Sequence, residues 1–193
     1  MTACRSWRAG RPEKIKTIAD VLAGAGQPLT LDGIAEHFNG RGPYRMKIPS
    51  LLAGVSGEYF VAAELSRRGH IASISLRNTR GIDILATNQA ATRSITIQVK
   101  TNQLSRPTWV LSEKGEGFVS ADHFYVLVIL NALVERPAYY VVPSADVASY
   151  ITTSHREWLA SPGLHGKPHA DSPMRKFADP AGQYLERWAL LGL

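Results

Sequence analysis

The sequence holds a single cysteine, Cys4, in 193 residues. One thiol excludes an intramolecular disulfide framework and any cysteine-built zinc module, and it fits a reducing compartment. No apolar run approaches the roughly 20 residues of a membrane span. The opening MTACRSWRAGRPEK has no apolar core of the secretory kind. There is no phosphate-cradling or dinucleotide-binding glycine pattern, so neither ATP nor NAD is expected. Ser112 and Ser144 have no His/Asp partners that would suggest a hydrolase triad. Among six histidines, only His165 and His169 are closely spaced, and they fall in the Gly/Pro-rich stretch SPGLHGKPHADSP, a poor frame for zinc. A cytoplasmic chain without membrane attachment is therefore expected.

Ordinary globular material is present. The chain is 45% hydrophobic and 20% charged, which suits one domain with a small appendage. Lys and Arg number 22 against 16 Asp and Glu, a net charge of +6. The excess is uneven. Residues 1–50 carry +4, residues 51–100 carry +3, and residues 101–193 carry −1. A basic half points to a polyanionic partner, most often nucleic acid, although solubility alone also explains a bias of this size.

Two regions follow from the pattern. In 1–50, helical spacing appears over 12–26 and again over 31–38, where Thr30 is a suitable N-cap. A third helix is expected over 46–55, with Pro49 in its first turn or breaking it. Arg41, Arg45 and Lys47 would lie where the third helix of a helix-turn-helix meets DNA, and LTLDGIAEHF resembles the second-helix start of many winged-helix proteins. A helical cap packed on the main domain is the plainer alternative. In 51–193, a helix is expected over 56–69, ended by Gly69. Strands follow over 70–76, 82–87 and 94–101, the last two as a hairpin. The apolar runs 122–130 and 138–142 read as buried central strands. A short helix from Pro143 through Val147, a loop-rich 154–180 and a final helix over 182–192 complete the chain. This order implies an α/β fold with a mixed central sheet and helices on both sides.

Chemistry concentrates on the hairpin. Asp83 alternates with Ile82 and Ile84, so it opposes the apolar face. Gln98 and Lys100 oppose Ile95, Ile97 and Val99 in the same way. Hairpin pairing would bring a carboxylate, an amide oxygen and an ammonium together. Those oxygens suit a hard divalent cation, and the lysine suits an attacking water or a phosphate oxygen. Each residue alone also has an ordinary structural role, such as edge protection by Lys100.

Asp83 followed by Gln98-Val99-Lys100 resembles the PD-(D/E)XK signature of restriction-endonuclease-like nucleases. Ile82 stands where the family's proline is usual, and Gln98 where its second acid is usual. The run Gly57-Glu58…Leu65…Gly69-His70 resembles the first helix of archaeal Holliday junction resolvases. Glu58 stands eleven residues before Gly69, as that motif's metal-site acid does; Glu64 is the alternative. The resemblance spans about 55–130. It implies a restriction-endonuclease-like fold and an Mg²⁺- or Mn²⁺-dependent DNA endonuclease, with a catalytic set of Glu58, Asp83, Gln98 and Lys100. The metal would be held by Glu58, Asp83, Gln98 and the Val99 carbonyl, and Arg77 and Arg80 would hold phosphates. Many such nucleases pair to cut both strands, which leaves a homodimer open. Because an amide binds Mg²⁺ more weakly than a carboxylate, a non-catalytic DNA-binding protein with a degenerate nuclease fold is the second expectation. A role in RNA processing is the third.

Overall fold

The computed structural model describes residues 48–76, 81–131, 135–163 and 166–193. The expected helices over 12–26 and 31–38 lie outside these residues, as do Arg41, Arg45, Lys47, Arg77 and Arg80.

Helix α1 spans Ser50–Arg67 as one element, not as two helices meeting near residue 55. Pro49 is its N-cap rather than an interior residue, so no helical hydrogen bond is lost to the imino nitrogen. The helix ends as expected. Gly69 takes φ +89°, which suits a residue without Cβ. Gly69 N donates to Ser66 O and His70 N to Leu65 O, both at 3.0 Å, the paired bonds of a Schellman stop.

Strands β1 (Ile71–Ile74), β2 (Ile84–Thr87) and β3 (Ser94–Asn102) form an antiparallel meander. Then come β4 (Thr108–Ser112), the short helix α2 (Lys114–Gly117), β5 (His123–Ile129), β6 (Ala138–Pro143), helix α3 (Ser144–Ala160), β7 (Met174–Ala178) and a 3₁₀ turn at Trp188–Leu191. The main sheet has the order β1-β2-β3-β5-β6, with β3 and β5 parallel. This is the expected mixed sheet flanked by helices.

Four local expectations are corrected. First, β6 is an outer strand, not a central one; its free side is covered by the C-terminal segment, where Val141 N donates to Tyr184 O and Glu186 N to Tyr139 O. Second, α3 continues past Val147 to Ala160; Val147, Ala148 and Ile151 bury one face of its first half. Third, β7, which falls in the stretch expected to be loop-rich, pairs with β4 in a separate two-stranded antiparallel sheet. Fourth, the final helix contracts to the single turn that buries Trp188 and Leu191.

Two apolar layers sandwich the sheet. On one face, Val61 and Leu65 of α1 meet Ile97, Val99, Val126 and Val141. On the other, Trp109, Leu111 and Phe177 of the small sheet and Val147 and Ile151 of α3 meet Tyr125, Leu127 and Tyr140. Both faces of β5 are therefore covered, which explains its unbroken apolar run.

Glu64, the alternative metal acid, has a structural role. It is 5% exposed and its Oε1 lies 2.8 Å from Arg67, 3.0 Å from Arg68 and 2.9 Å from Arg136. Burial alone would raise its pKa. The Arg67 hydrogen bond and the charges of Arg136, Arg67 and Arg68 outweigh burial and hold it below its ordinary value of 4.5. A carboxylate depressed by folding stabilises the fold above its unfolded pKa, and that contribution disappears as pH falls through the depressed value. Glu64→Gln is therefore expected to flatten the loss of stability below about pH 4.5, read from urea midpoints across pH 3–6. A variant with the wild-type acid slope would contradict this role.

Candidate active site

The site is built where β2 leaves β3. The β2–β3 register runs out at Ile84↔Ile97, while β3 continues to Asn102. Ile97 O still accepts from Asp83 N at 2.8 Å. Two residues on, Val99 N has no β2 neighbour and instead donates to Asp83 Oδ2 at 2.7 Å. The aspartate side chain thus replaces a missing ladder bond and lies in the gap between the strands. Amide and carbonyl of one strand residue point to the same edge, so the Val99 carbonyl faces this gap as well.

Gln98 and Lys100 stand on one face of β3, half-buried, while Ile95, Ile97 and Val99 are buried on the other. This is the alternation expected from the sequence. Gln98 and Lys100 line a cleft of about 540 Å³ with Gly81, Ser112, Lys114, Phe118 and Tyr125. The Gln98 amide oxygen lies 3.9 Å from the position a Cβ would take on Gly81, two residues before Asp83. The parallel register sets Gln98 beside Tyr125. Burial raises the Tyr125 phenol pKa, and the Asp83 charge adds to the shift. Carboxylate, amide, ammonium and phenol therefore belong to one neighbourhood.

Glu58 lies on α1, which packs on the opposite face of the sheet. Its neighbour Gly57 packs directly on Thr101, the residue after Lys100, and a Cβ at Gly57 would overlap the Thr101 hydroxyl. Close helix–strand approach thus requires glycine here. It sets the half-buried Glu58 level with the end of the Gln98–Lys100 segment. Asp83 and Val99 meet at the gap, and Gln98 and Lys100 stand on the adjoining cleft wall; Glu58 belongs to α1, on the other face of the sheet.

The donor set consists of oxygens: the Asp83 carboxylate, the Gln98 amide and the Val99 carbonyl. It fits a hard cation of the Mg²⁺ class and would not favour a soft one. Among the described residues, no three His, Cys, Asp or Glu side chains gather as a metal-holding group, so neutral oxygens make up most of this set.

The sequence reading missed the far wall. Ser112 ends β4, Lys114 and Phe118 belong to the β4–β5 connection, and only the three-dimensional return of β5 alongside β3 brings them to the cleft of Gln98 and Lys100. It also missed His123, which is 2% exposed beside the cleft. Its Nδ1 lies 2.8 Å from the Thr96 hydroxyl, its ring packs on Phe118 and Tyr125, and burial lowers its pKa to about 4. Tyr139, Tyr140 and Trp188 are buried, whereas Trp158 is an exposed ring stacked on His169.

No family model matches the sequence, and no curated protein matches it. Among solved structures, the chain is similar to a bacterial homing endonuclease at 17% identity and a TM-score of 0.45, over 76% of this chain and 94% of that one. It is also similar to a Holliday junction resolvase from the archaeal hyperthermophile Archaeoglobus fulgidus at 16% identity and a TM-score of 0.36, over 65% and 84% of the two chains.

Proposed function

We propose that the chain is a metal-dependent nuclease of the restriction-endonuclease-like kind that hydrolyses phosphodiester bonds in DNA. The observation that carries this reading is the Asp83 carboxylate held on the Val99 amide where β2 and β3 separate, with Gln98 and Lys100 on the adjoining cleft wall.

Asp83, Gln98 and the Val99 carbonyl would hold Mg²⁺ or Mn²⁺, with Glu58 as the second carboxylate from α1. A divalent cation in such a site offsets phosphate charge and lowers the pKa of the attacking water. The chain's own groups do the rest. Asp83 is oriented by the Val99 N–H, so its carboxylate needs no rearrangement when substrate binds. The Lys100 ammonium donates hydrogen bonds to the attacking water or to a phosphate oxygen. It positions the first or stabilises charge developing on the second. In this reading residues 1–50 form a DNA-binding segment and 51–193 the nuclease domain. Arg41, Arg45 and Lys47 would contact DNA from that segment, and Arg77 and Arg80 would hold phosphates.

The test is cleavage of plasmid, branched and single-stranded DNA, and of RNA, by the full chain with Mg²⁺ or Mn²⁺. Cleavage of at least one DNA substrate, abolished by a chelator, is expected. If every substrate survives, hydrolysis fails as a reading. The neutral Gln98 favours one other reading, a DNA-binding protein with a degenerate site. Salt-sensitive binding without heat on Mn²⁺ titration would support that alternative.

A further inference from the structure

The wall opposite Gln98 and Lys100 has no part in the chemistry assigned so far. It carries one cation, Lys114, and one aromatic ring, Phe118, which is 39% exposed although it sits in the cleft. Phe118 is held in place from two sides. Its ring centroid lies 4.3 Å from that of His123 in an edge-to-face contact, and its Cε1 lies 3.2 Å from the position of a Cβ on Gly81. Glycine at 81 thus leaves room for the ring, and the ring reaches the turn that leads into Asp83. The nearby acid Glu116 is occupied by Arg175, a buried guanidinium, so its charge is matched away from Lys114.

We propose that Lys114 and Phe118 form a nucleotide-holding subsite that grips an unpaired strand, with a phosphate on Lys114 and the adjoining base against the Phe118 ring. This deepens the nuclease reading and rests on it for the identity of the ligand. Lys100 and Lys114 line the same cleft and give it two cations for the phosphates of one chain. The volume, about 540 Å³, falls within the roughly 300–1,000 Å³ of pockets that enclose small ligands. A paired, stacked base hides both its faces, so an exposed ring in a recess can be used only by a base outside a duplex.

The test is fluorescence anisotropy of a labelled single-stranded DNA oligonucleotide and of the same oligonucleotide as a duplex. It uses the full chain in EDTA so that no cleavage intervenes. The single strand is expected to bind, and Phe118→Ala to weaken it about tenfold while changing duplex binding less than twofold. Phe118→Leu, which keeps apolar packing on His123 but has no ring face, is expected to lose affinity similarly while keeping the wild-type unfolding midpoint. Lys114→Ala is expected to reduce the slope of log affinity against log salt by about 0.7. Failure of the single strand to bind overturns the subsite. So does wild-type affinity in both Phe118 variants, or equal losses on single strand and duplex. Because binding is read without metal, a chain that binds as described yet cuts nothing keeps the subsite and loses the nuclease. A chain that cuts normally with Phe118→Leu and Lys114→Ala binding unchanged does the reverse.

Discussion

Asp83→Ala is expected to reduce DNA cleavage by about a thousandfold or more. A carboxylate that holds a divalent cation contributes several kcal/mol to transition-state stabilisation, and every 1.36 kcal/mol is a factor of ten. Fold and chemistry separate through the choice of replacement. The Asp83 side chain also satisfies Val99 N, which has no strand partner on that side. Alanine removes the acceptor and is expected to cost about 1–3 kcal/mol of stability. Asparagine keeps an acceptor oxygen for Val99 N but not the charge, so Asp83→Asn is expected to unfold near the wild-type midpoint and still lack activity. Single-turnover rates and denaturant melts on both variants decide the matter. If Asp83→Asn cuts at the wild-type rate, the carboxylate is architectural. Lys100→Ala belongs in the same series. Its loss is expected to be about a hundredfold, because it removes one hydrogen-bond donor and leaves the oxygen donors intact.

The largest stability effect is expected at Trp109. Its ring is 2% exposed, lies 4.9 Å from the Tyr140 ring, and donates Nε1 to Val128 O at 3.0 Å. One side chain thus pins β4, a strand of the small sheet, to β5 and β6 of the large one. Trp109→Ala is expected to cost about 3–5 kcal/mol, a sizeable share of the 5–15 kcal/mol typical of a folded protein. Trp109→Phe retains much of the packing but loses the Nε1 hydrogen bond to Val128 O, at about 0.5–1.5 kcal/mol. Urea melts measure both. Leu111 and Ser112 ride on the same strand and line the cleft, so the alanine variant is also expected to lose affinity for single-stranded DNA. A melt within 1 kcal/mol of wild type would show that β4 is held mainly by β7.

Features written in adjacent residues were legible in the sequence. The alternation in SITIQVK assigned Gln98 and Lys100 to one face, and the short connection to β2 brought Asp83 beside them. Gly69 marked the end of the helix that carries Glu58, whereas its start, expected at 56, lies at Ser50. Features that depend on distant partners were not legible. The strand over 174–178 alternates weakly, and its pairing with β4 joins residues more than sixty positions apart. The extent of α3 was hidden by Thr152, Thr153 and Ser154, poor helix formers that lie C-terminal to its apolar contacts at Val147 and Ile151. The far wall of the cleft follows from the parallel return of β5, a choice of topology that no local pattern around Lys114 or Phe118 records. The gap that frames Asp83 was likewise hidden, since it arises from where pairing stops.

The apolar strand β5 also governs how the chain matures. A parallel neighbour cannot be reached by a tight turn, so β5 joins β3 only after the connection carrying β4 and α2 has folded back. Until then, HFYVLVI presents seven residues of high β propensity with no proline and no Lys, Arg, Asp or Glu, and both of its edges are open. Asp122, immediately before it, is the nearest gatekeeping charge. Newly made chains therefore pass through an interval in which self-association competes with completion of the sheet. Dilution and slow synthesis should raise the yield of native protein more than any change at its surface.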